Sequence, residues 1–155
     1  MRTEQARPVR LQDYQAPDWL VDHVHLDVSL HPTASRIRST LSLRPNPDTA
    51  PAPLVLDGDG LSLSSILLEG KPLASDAFVA TPDKLTLPQP PQRPFQITIE
   101  TIVDPSANTQ LMGLYRSSGT YCTQCEAEGF RRITYFPDRP DVMAVYTTRI
   151  EAEKA

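Results

Sequence analysis

The first clear pattern in the chain is an alternation of apolar and polar residues between positions 23 and 43. Val24, Leu26 and Val28 alternate with polar neighbours, which is the period of a strand with one buried face. After the turn at 31–35, Ile37 and Leu43 belong to a second alternating run. The pattern predicts a hairpin with one apolar face.

Shorter apolar runs follow at regular intervals, separated by turn residues. They lie at 54–56, 61–68, 78–79, 85–87 and 95–99. Turns that recur about every ten residues are typical of antiparallel sandwiches and barrels. The 16 prolines fall mostly between these runs, as expected for strands joined by turns rather than for helices. The sequence predicts an all-β fold, an antiparallel β-sandwich or saddle-like sheet with a long functional loop near its C-terminal end.

The end of the chain predicts one more strand, beginning at Val145. Between Val145 and Ala155 we expect this strand to have little room to pair, and no capping composition follows it. We therefore expect residues 1–155 to form a single β domain that is truncated at its C-terminal end. A length of 155 residues fits one domain with a true hydrophobic core.

Charge and hydropathy limit the cellular compartment and the classes of binding partner that we expect for the protein. The formal net charge of −4 argues against nucleic acid as a partner, because phosphate binding needs clustered Lys and Arg. The first twenty residues are polar and charged, without the apolar block of a secretory signal, and no later window suits a membrane helix. We expect a cytoplasmic protein with no membrane partner, in which Cys122 and Cys125 are thiols.

The segment 122–142 concentrates the chemistry of the chain. It combines two thiols, an amide, several carboxylates, three arginines and three aromatic rings. Turn loops favour Gly, Asn, Pro and Ser for backbone reasons, whereas loops on a rigid scaffold often carry function. We take 122–142 as the functional segment.

Within this segment, Gln124, Glu126 and Glu128 would project to one side of an extended chain. A carboxylate such as Glu126 on a concave wall can bind an ammonium group through charge-assisted hydrogen bonds. Alternatively, these carboxylates simply pair with the three arginines that follow them. The residues alone leave both interpretations open.

Three further motifs have structural explanations that outweigh a metal or redox role. Cys122 and Cys125 form a C-x-x-C, but zinc needs two more ligands, and a thioredoxin-like site needs a βαβ unit. His23 and His25 share one face of a strand, where solvated polar residues are ordinary. The run 57–60 resembles the start of a calcium loop but lacks the remaining ligands, and it predicts a tight turn.

The segment Cys122-Thr-Gln-Cys-Glu-Ala-Glu-Gly-Phe-Arg131, followed by Ile133-Thr-Tyr and Asp138-Arg-Pro-Asp-Val142, resembles the end of the N-terminal domain of bacterial aminopeptidase N. That family comprises zinc metallopeptidases of the gluzincin class. Residues 13–18, 107–109 and 113–115 resemble the family as well, in the same order along the chain.

The resemblance implies roles for two residues. Glu126 would bind the free α-amino group of a peptide, and Gln124 would line the pocket for the first side chain. The implied partners are the peptide N-terminus and the protein's own catalytic domain. For Asp138 we expect a structural role, accepting backbone N–H groups, with Arg139 bridging to it.

The catalytic motifs of that family are missing from these residues. The chain contains neither H-E-x-x-H nor G-x-M-E-N, and the two His and the Glu of the first motif are what hold zinc and act as general base. The resemblance therefore implies that residues 1–155 are the N-terminal β domain of a metallo-aminopeptidase, without its zinc catalytic domain. The zinc would be bound outside this chain, and the isolated chain would be inactive. The alternatives are a stand-alone β-sandwich binding module without catalysis and a small thiol-dependent protein.

Overall fold

The structure is a computed structural model that describes residues 10–154. Residues 1–9 and residue 155 of the predicted domain lie outside the described residues. Eleven strands account for the regular structure of the described part, together with 3-10 turns at Leu11–Asp13 and Phe130–Arg132. The strands are β1 (Trp19–Ser29), β2 (Ser35–Pro45), β3 (Leu54–Asp57), β4 (Ser62–Leu68), β5 (Lys71–Pro72), β6 (Val79–Thr81), β7 (Lys84–Leu87), β8 (Phe95–Val103), β9 (Gly113–Ser117), β10 (Thr120–Gln124) and β11 (Val145–Glu151). The predicted all-β fold is confirmed.

Neither 3-10 turn has the length to span a membrane, and residues 10–154 contain no other helical segment.

The main sheet has six strands in the order β11-β1-β2-β8-β4-β5. The predicted hairpin forms its centre, where Val24 of β1 pairs with Leu41 of β2 and Leu41 pairs with Ile97 of β8. These three side chains are fully buried, so the period-two pattern places one apolar row across three strands.

A second sheet of three strands, in the order β3-β7-β6, completes the core. Leu54, Leu56 and Leu85 of this sheet are fully buried and belong to the same hydrophobic cluster as the inner face of the main sheet. Strands β9 and β10 form a separate hairpin. The core thus lies between the inner faces of two sheets, as in a sandwich.

The last strand differs from the expectation that it would hardly pair. All seven residues of β11 pair with His23–Ser29 of β1, and the pairing is parallel. Parallel neighbours need a long connection, and the segment 125–144 supplies one by returning the chain to the beginning of β1. Every residue of β11 is nevertheless exposed, since β11 lies at the edge of the sheet.

The buried segment 133–138 connects the two sheets. Its Phe136 exchanges two backbone hydrogen bonds with Asp57 of β3, of 2.9 and 3.0 Å. Thr101 Oγ1 of β8 donates to the Ile133 carbonyl at 3.0 Å, and Tyr135 Oη donates to the Thr81 carbonyl of β6 at 2.6 Å. This segment therefore fixes the end of the loop that precedes it.

Replacing Ile99 of β8 with alanine tests the position of the core. Ile99 is 0% exposed, and we expect Ile99→Ala to lower the free energy of unfolding by about 2–5 kcal/mol, because the buried methyl groups are lost and a cavity remains. Urea unfolding of the chain measures this change. Leu11→Ala is the control, since Leu11 is 91% exposed and should change the same quantity by less than about 0.5 kcal/mol. Equal effects of the two substitutions would contradict the assigned core.

Candidate functional site

The hairpin β9-β10 brings Gln124 to the end of a strand and next to the second 3-10 turn. Its two-residue turn uses Ser118 and Gly119, both with positive φ (49° and 85°), as tight hairpins require. At the opposite end Gln124 pairs with Gly113. Gly113 has φ of 70°, and a Cβ there would lie 2.5 Å from the Cβ of Arg132. Glycine thus lets the hairpin pack directly against the 3-10 turn.

The loop 125–129 leaves the hairpin and closes back onto it at Gly129. A Cβ on Gly129 would lie 2.8 Å from the Cα of Cys125 and 3.0 Å from the carbonyl oxygen of Gln124. The loop therefore turns back on itself, and its last residue lies against the end of β10.

Gln124 and Glu126 lie on the surface at the start of this loop. Both side chains are exposed, and neither makes a hydrogen bond or an ion pair with any residue in 10–154. Each remains available to bind a group from outside the described chain.

Glu128 behaves differently, because it forms an ion pair within the segment. Its Oε2 accepts from Arg131 Nη2 at 2.7 Å. The same guanidinium donates from Nε to Asp138 Oδ2 at 2.9 Å and from Nη2 to the Asp138 carbonyl at 2.8 Å. The interpretation that the acidic residues pair with neighbouring arginines therefore holds for Glu128.

Asp138 has a structural position. Its Oδ2 accepts the backbone N–H of Arg131 at 3.2 Å in addition to the guanidinium, and the residue is buried. The expected acceptance of a backbone N–H is confirmed.

The expectation that Arg139 bridges to Asp138 is wrong. Arg139 forms a two-pronged ion pair with Asp141, of 2.9 and 2.6 Å, and also donates to the Gln15 carbonyl at 2.6 Å. The hydrogen bond from Arg139 is the main cause that lowers the pKa of Asp141. Asp138 is bound by Arg131, and Arg139 pairs with the neighbouring carboxylate of Asp141 instead.

The two cysteines are free thiols and line one apolar cavity. This cavity of about 430 Å³ lies between the hairpin β9-β10 and the inner face of β1 and β11. Burial raises the pKa of the Cys125 thiol, and the charge of Asp138 raises it further. A reactive cysteine needs the opposite shift, so the environment of Cys125 argues against this residue as a reactive thiol.

The other motifs are accounted for by local structure. His23 Nε2 lies 3.0 Å from Thr147 Oγ1 of the neighbouring strand, and Asp27 pairs with Arg149 at 2.8 Å. Asp59, within the run 57–60, pairs with Arg132 at 2.5 Å. No group of three or more His, Cys, Asp or Glu side chains in residues 10–154 has the arrangement of a metal site.

An aromatic cluster joins the loop to the last strand, and the sequence alone does not reveal it. Phe130 packs edge-on against Phe136 and Tyr146, with ring centroids 5.0 and 5.8 Å apart. Tyr146 belongs to the exposed strand β11, so its partners depend on the parallel pairing with β1. Only the three-dimensional arrangement brings these rings together.

Solved structures establish the class of fold. The structure of Legionella pneumophila aminopeptidase A in complex with aspartic acid superposes with a TM-score of 0.82 at 35% identity, over 92% of this chain and 17% of that chain. An M1 zinc metallopeptidase from Deinococcus radiodurans matches with a TM-score of 0.71 at 20% identity, over 87% of this chain and 33% of that one. The second likeness shows the fold alone.

Sequence comparisons establish the family. The model of the peptidase M1 N-terminal domain matches residues 17–155. Aminopeptidase N of Caulobacter vibrioides is 46% identical over 99% of this chain, and aminopeptidase N of Escherichia coli is 38% identical over 98% of it. The chain belongs to the peptidase M1 N-terminal domain family, and the resemblance to aminopeptidase N is confirmed. The chain spans only 18% of the length of the first of these relatives and 17% of the second.

Alkylation kinetics test the environment of Cys125. In a Cys122→Ser variant, we expect iodoacetamide to react with Cys125 slowly at neutral pH, because a raised pKa keeps the thiol protonated. The midpoint of the pH–rate profile should lie above that of the same thiol in the unfolded chain, because burial raises the pKa of Cys125. The same variant unfolded in urea supplies the reference rate, and Cys125→Ser reports on Cys122 in parallel. A midpoint below that of the unfolded chain would contradict the burial of this thiol and favour a thiol-dependent role.

Proposed function

We propose that this chain supplies one wall of the substrate cleft in a longer zinc-dependent aminopeptidase, which releases N-terminal amino acids from peptides. Membership of the peptidase M1 N-terminal domain family supports this proposal, as does the similarity to two curated proteins named aminopeptidase N. Because the chain spans less than a fifth of those relatives, its partner in forming the cleft would be the catalytic domain of the same protein.

The observation that carries the proposal is the unpaired carboxylate of Glu126. Four carboxylates occur between residues 122 and 142, and three of them have arginine partners: Glu128 and Asp138 pair with Arg131, and Asp141 pairs with Arg139. Glu126 is the fourth, and it is exposed without a cationic partner among residues 10–154. It is therefore the carboxylate of this segment that is free to accept a cation from a ligand.

In this role Glu126 would bind the α-ammonium group of a peptide. Closure of the cleft by the catalytic domain would take both charges out of water, and their hydrogen bonds would then gain strength in the less polar surroundings. A peptide with a blocked amine brings no charge and would leave the carboxylate desolvated without a partner, which is costly. This difference gives a physical basis for cleavage at free N-termini.

Gln124 would contribute to the pocket for the first side chain. It precedes Glu126 by two residues and is exposed at the end of β10. Its amide both donates and accepts hydrogen bonds. It therefore suits the wall of the pocket that would receive the first side chain when Glu126 binds the α-amino group. We assign it to substrate binding and not to catalysis.

The zinc of the full-length enzyme would be held by residues outside this chain. Residues 10–154 contain no suitable cluster of ligands, and the sequence contains no H-E-x-x-H. The chain by itself is therefore predicted to be inactive. The two free thiols fit a cytoplasmic enzyme, because that compartment keeps cysteines reduced.

The substitution Glu126→Ala in the full-length enzyme tests the proposed role. We expect KM for a free-amine peptide to rise and kcat/KM to fall. The fall should correspond to an increase of about 2–4 kcal/mol in the activation free energy, the usual cost of removing one partner of a desolvated charge pair. Steady-state kinetics with an aminoacyl amide measure both constants.

The matched control is Asp22→Ala, which removes an exposed carboxylate of β1 that pairs with Arg44 at 2.9 Å. This variant should have the kinetics of the wild type. Unchanged KM and kcat/KM in Glu126→Ala would show that this carboxylate does not recognise the amine.

A further inference from the structure

The loop that carries Glu126 has few connections to the rest of the domain. Residues 126–129 form a local turn, and outside this turn no backbone hydrogen bond joins residues 126–128 to the strands or to the rest of residues 10–154. The close approach of Gly129 to Gln124 fixes where the loop ends, but not the direction in which its middle points. A separate interaction has to set that direction.

The ion pair between Glu128 and Arg131 is that interaction. Glu128 lies two residues after Glu126, and its Oε2 is 2.7 Å from Arg131 Nη2. The two side chains differ in exposure, because 54% of Glu128 and 25% of Arg131 is accessible to solvent. Arg131 is thus the more rigid member of the pair, and it holds Glu128 and the loop that carries it.

Arg131 is fixed because Asp138 holds it at several atoms. Its Nε and its backbone N–H both donate to Asp138 Oδ2, at 2.9 and 3.2 Å, and its Nη2 also donates to the Asp138 carbonyl at 2.8 Å. The Arg131 carbonyl in turn accepts the backbone N–H of Asp59 at 3.0 Å. Asp138 itself ends the buried run 133–138 that joins the two sheets.

We propose that Arg131 is a positioning residue, which through its ion pair with Glu128 sets the direction of the Glu126 carboxylate for binding the substrate amine. This inference rests on the proposed function of Glu126. Pre-organisation of this kind lowers the entropy lost when a ligand binds. Its loss should therefore weaken binding without changing the chemical step.

The gentlest test substitutes Glu128, because its side chain is half exposed and bonds only to Arg131 among residues 10–154. Substituting Arg131 would also leave the buried carboxylate of Asp138 unpaired and could unfold the domain. In the full-length enzyme, we expect Glu128→Ala to raise KM about two- to fivefold with kcat unchanged, the range that an exposed ion pair supports.

A double-mutant cycle with Glu126→Ala provides a readout that a merely structural effect would not give. If Glu128 acts through Glu126, adding Glu128→Ala to Glu126→Ala should not raise KM further. The control is Asp22→Ala, because its pair with Arg44 is similar in length, at 2.9 Å, and in exposure, at 52% for the aspartate. The control should leave KM unchanged.

Each other result overturns the inference in a recognisable way. If Glu126→Ala raises KM and Glu128→Ala does not, Arg131 does not position the loop, while the proposed function stands. If the effect of Glu128→Ala persists in full alongside Glu126→Ala, Glu128 acts on the substrate directly and not through Glu126. If Glu126→Ala itself changes nothing, the proposed function fails, and the positioning role fails with it.

Discussion

The buried segment 133–138 is the constraint on which the structure depends. It exchanges two backbone hydrogen bonds with Asp57 in the three-stranded sheet and accepts one from Thr101 in the six-stranded sheet. Such bonds between buried groups are costly to lose, since the groups have no water as an alternative partner. One stretch of irregular chain therefore fixes the two sheets relative to each other.

The candidate site takes its rigidity from the same segment. The loop 125–129 lies between β10 and the turn Phe130–Arg132, and close backbone contacts at Gly113 and Gly129 leave little space on either side. Asp138, at the end of the buried segment, holds Arg131. A loop built in this way keeps exposed polar groups in a defined place, which is what recognition of a small charged group requires.

The sequence predicts the strands well and the side-chain partners poorly, and the reason differs for each. Period-two alternation marks β1, β2 and β8 because one face of each is buried, and that information is local. The parallel pairing of β11 with β1 joins residues about 120 positions apart, and no local pattern encodes it. The pairing of Arg139 with Asp141 instead of Asp138 is likewise not visible in the local sequence, because Asp138 is bound by Arg131.

The ion pairs of the segment also bear on the two interpretations of the acidic loop that the sequence leaves open, ligand binding or pairing with neighbouring arginines. Glu126 and Glu128 are chemically equivalent along the chain, but Arg131, which is bound to Asp138, pairs with Glu128. The other arginines of the segment are engaged elsewhere, Arg132 with Asp59 and Arg139 with Asp141. Among residues 10–154 Glu126 is thus without a cationic partner, since all three arginines of the segment pair with other carboxylates. An exposed carboxylate without a partner costs little in water, whereas a desolvated one requires a cation. Under the proposed function, closure of a second surface over Glu126 would therefore make this position sensitive to a cationic ligand.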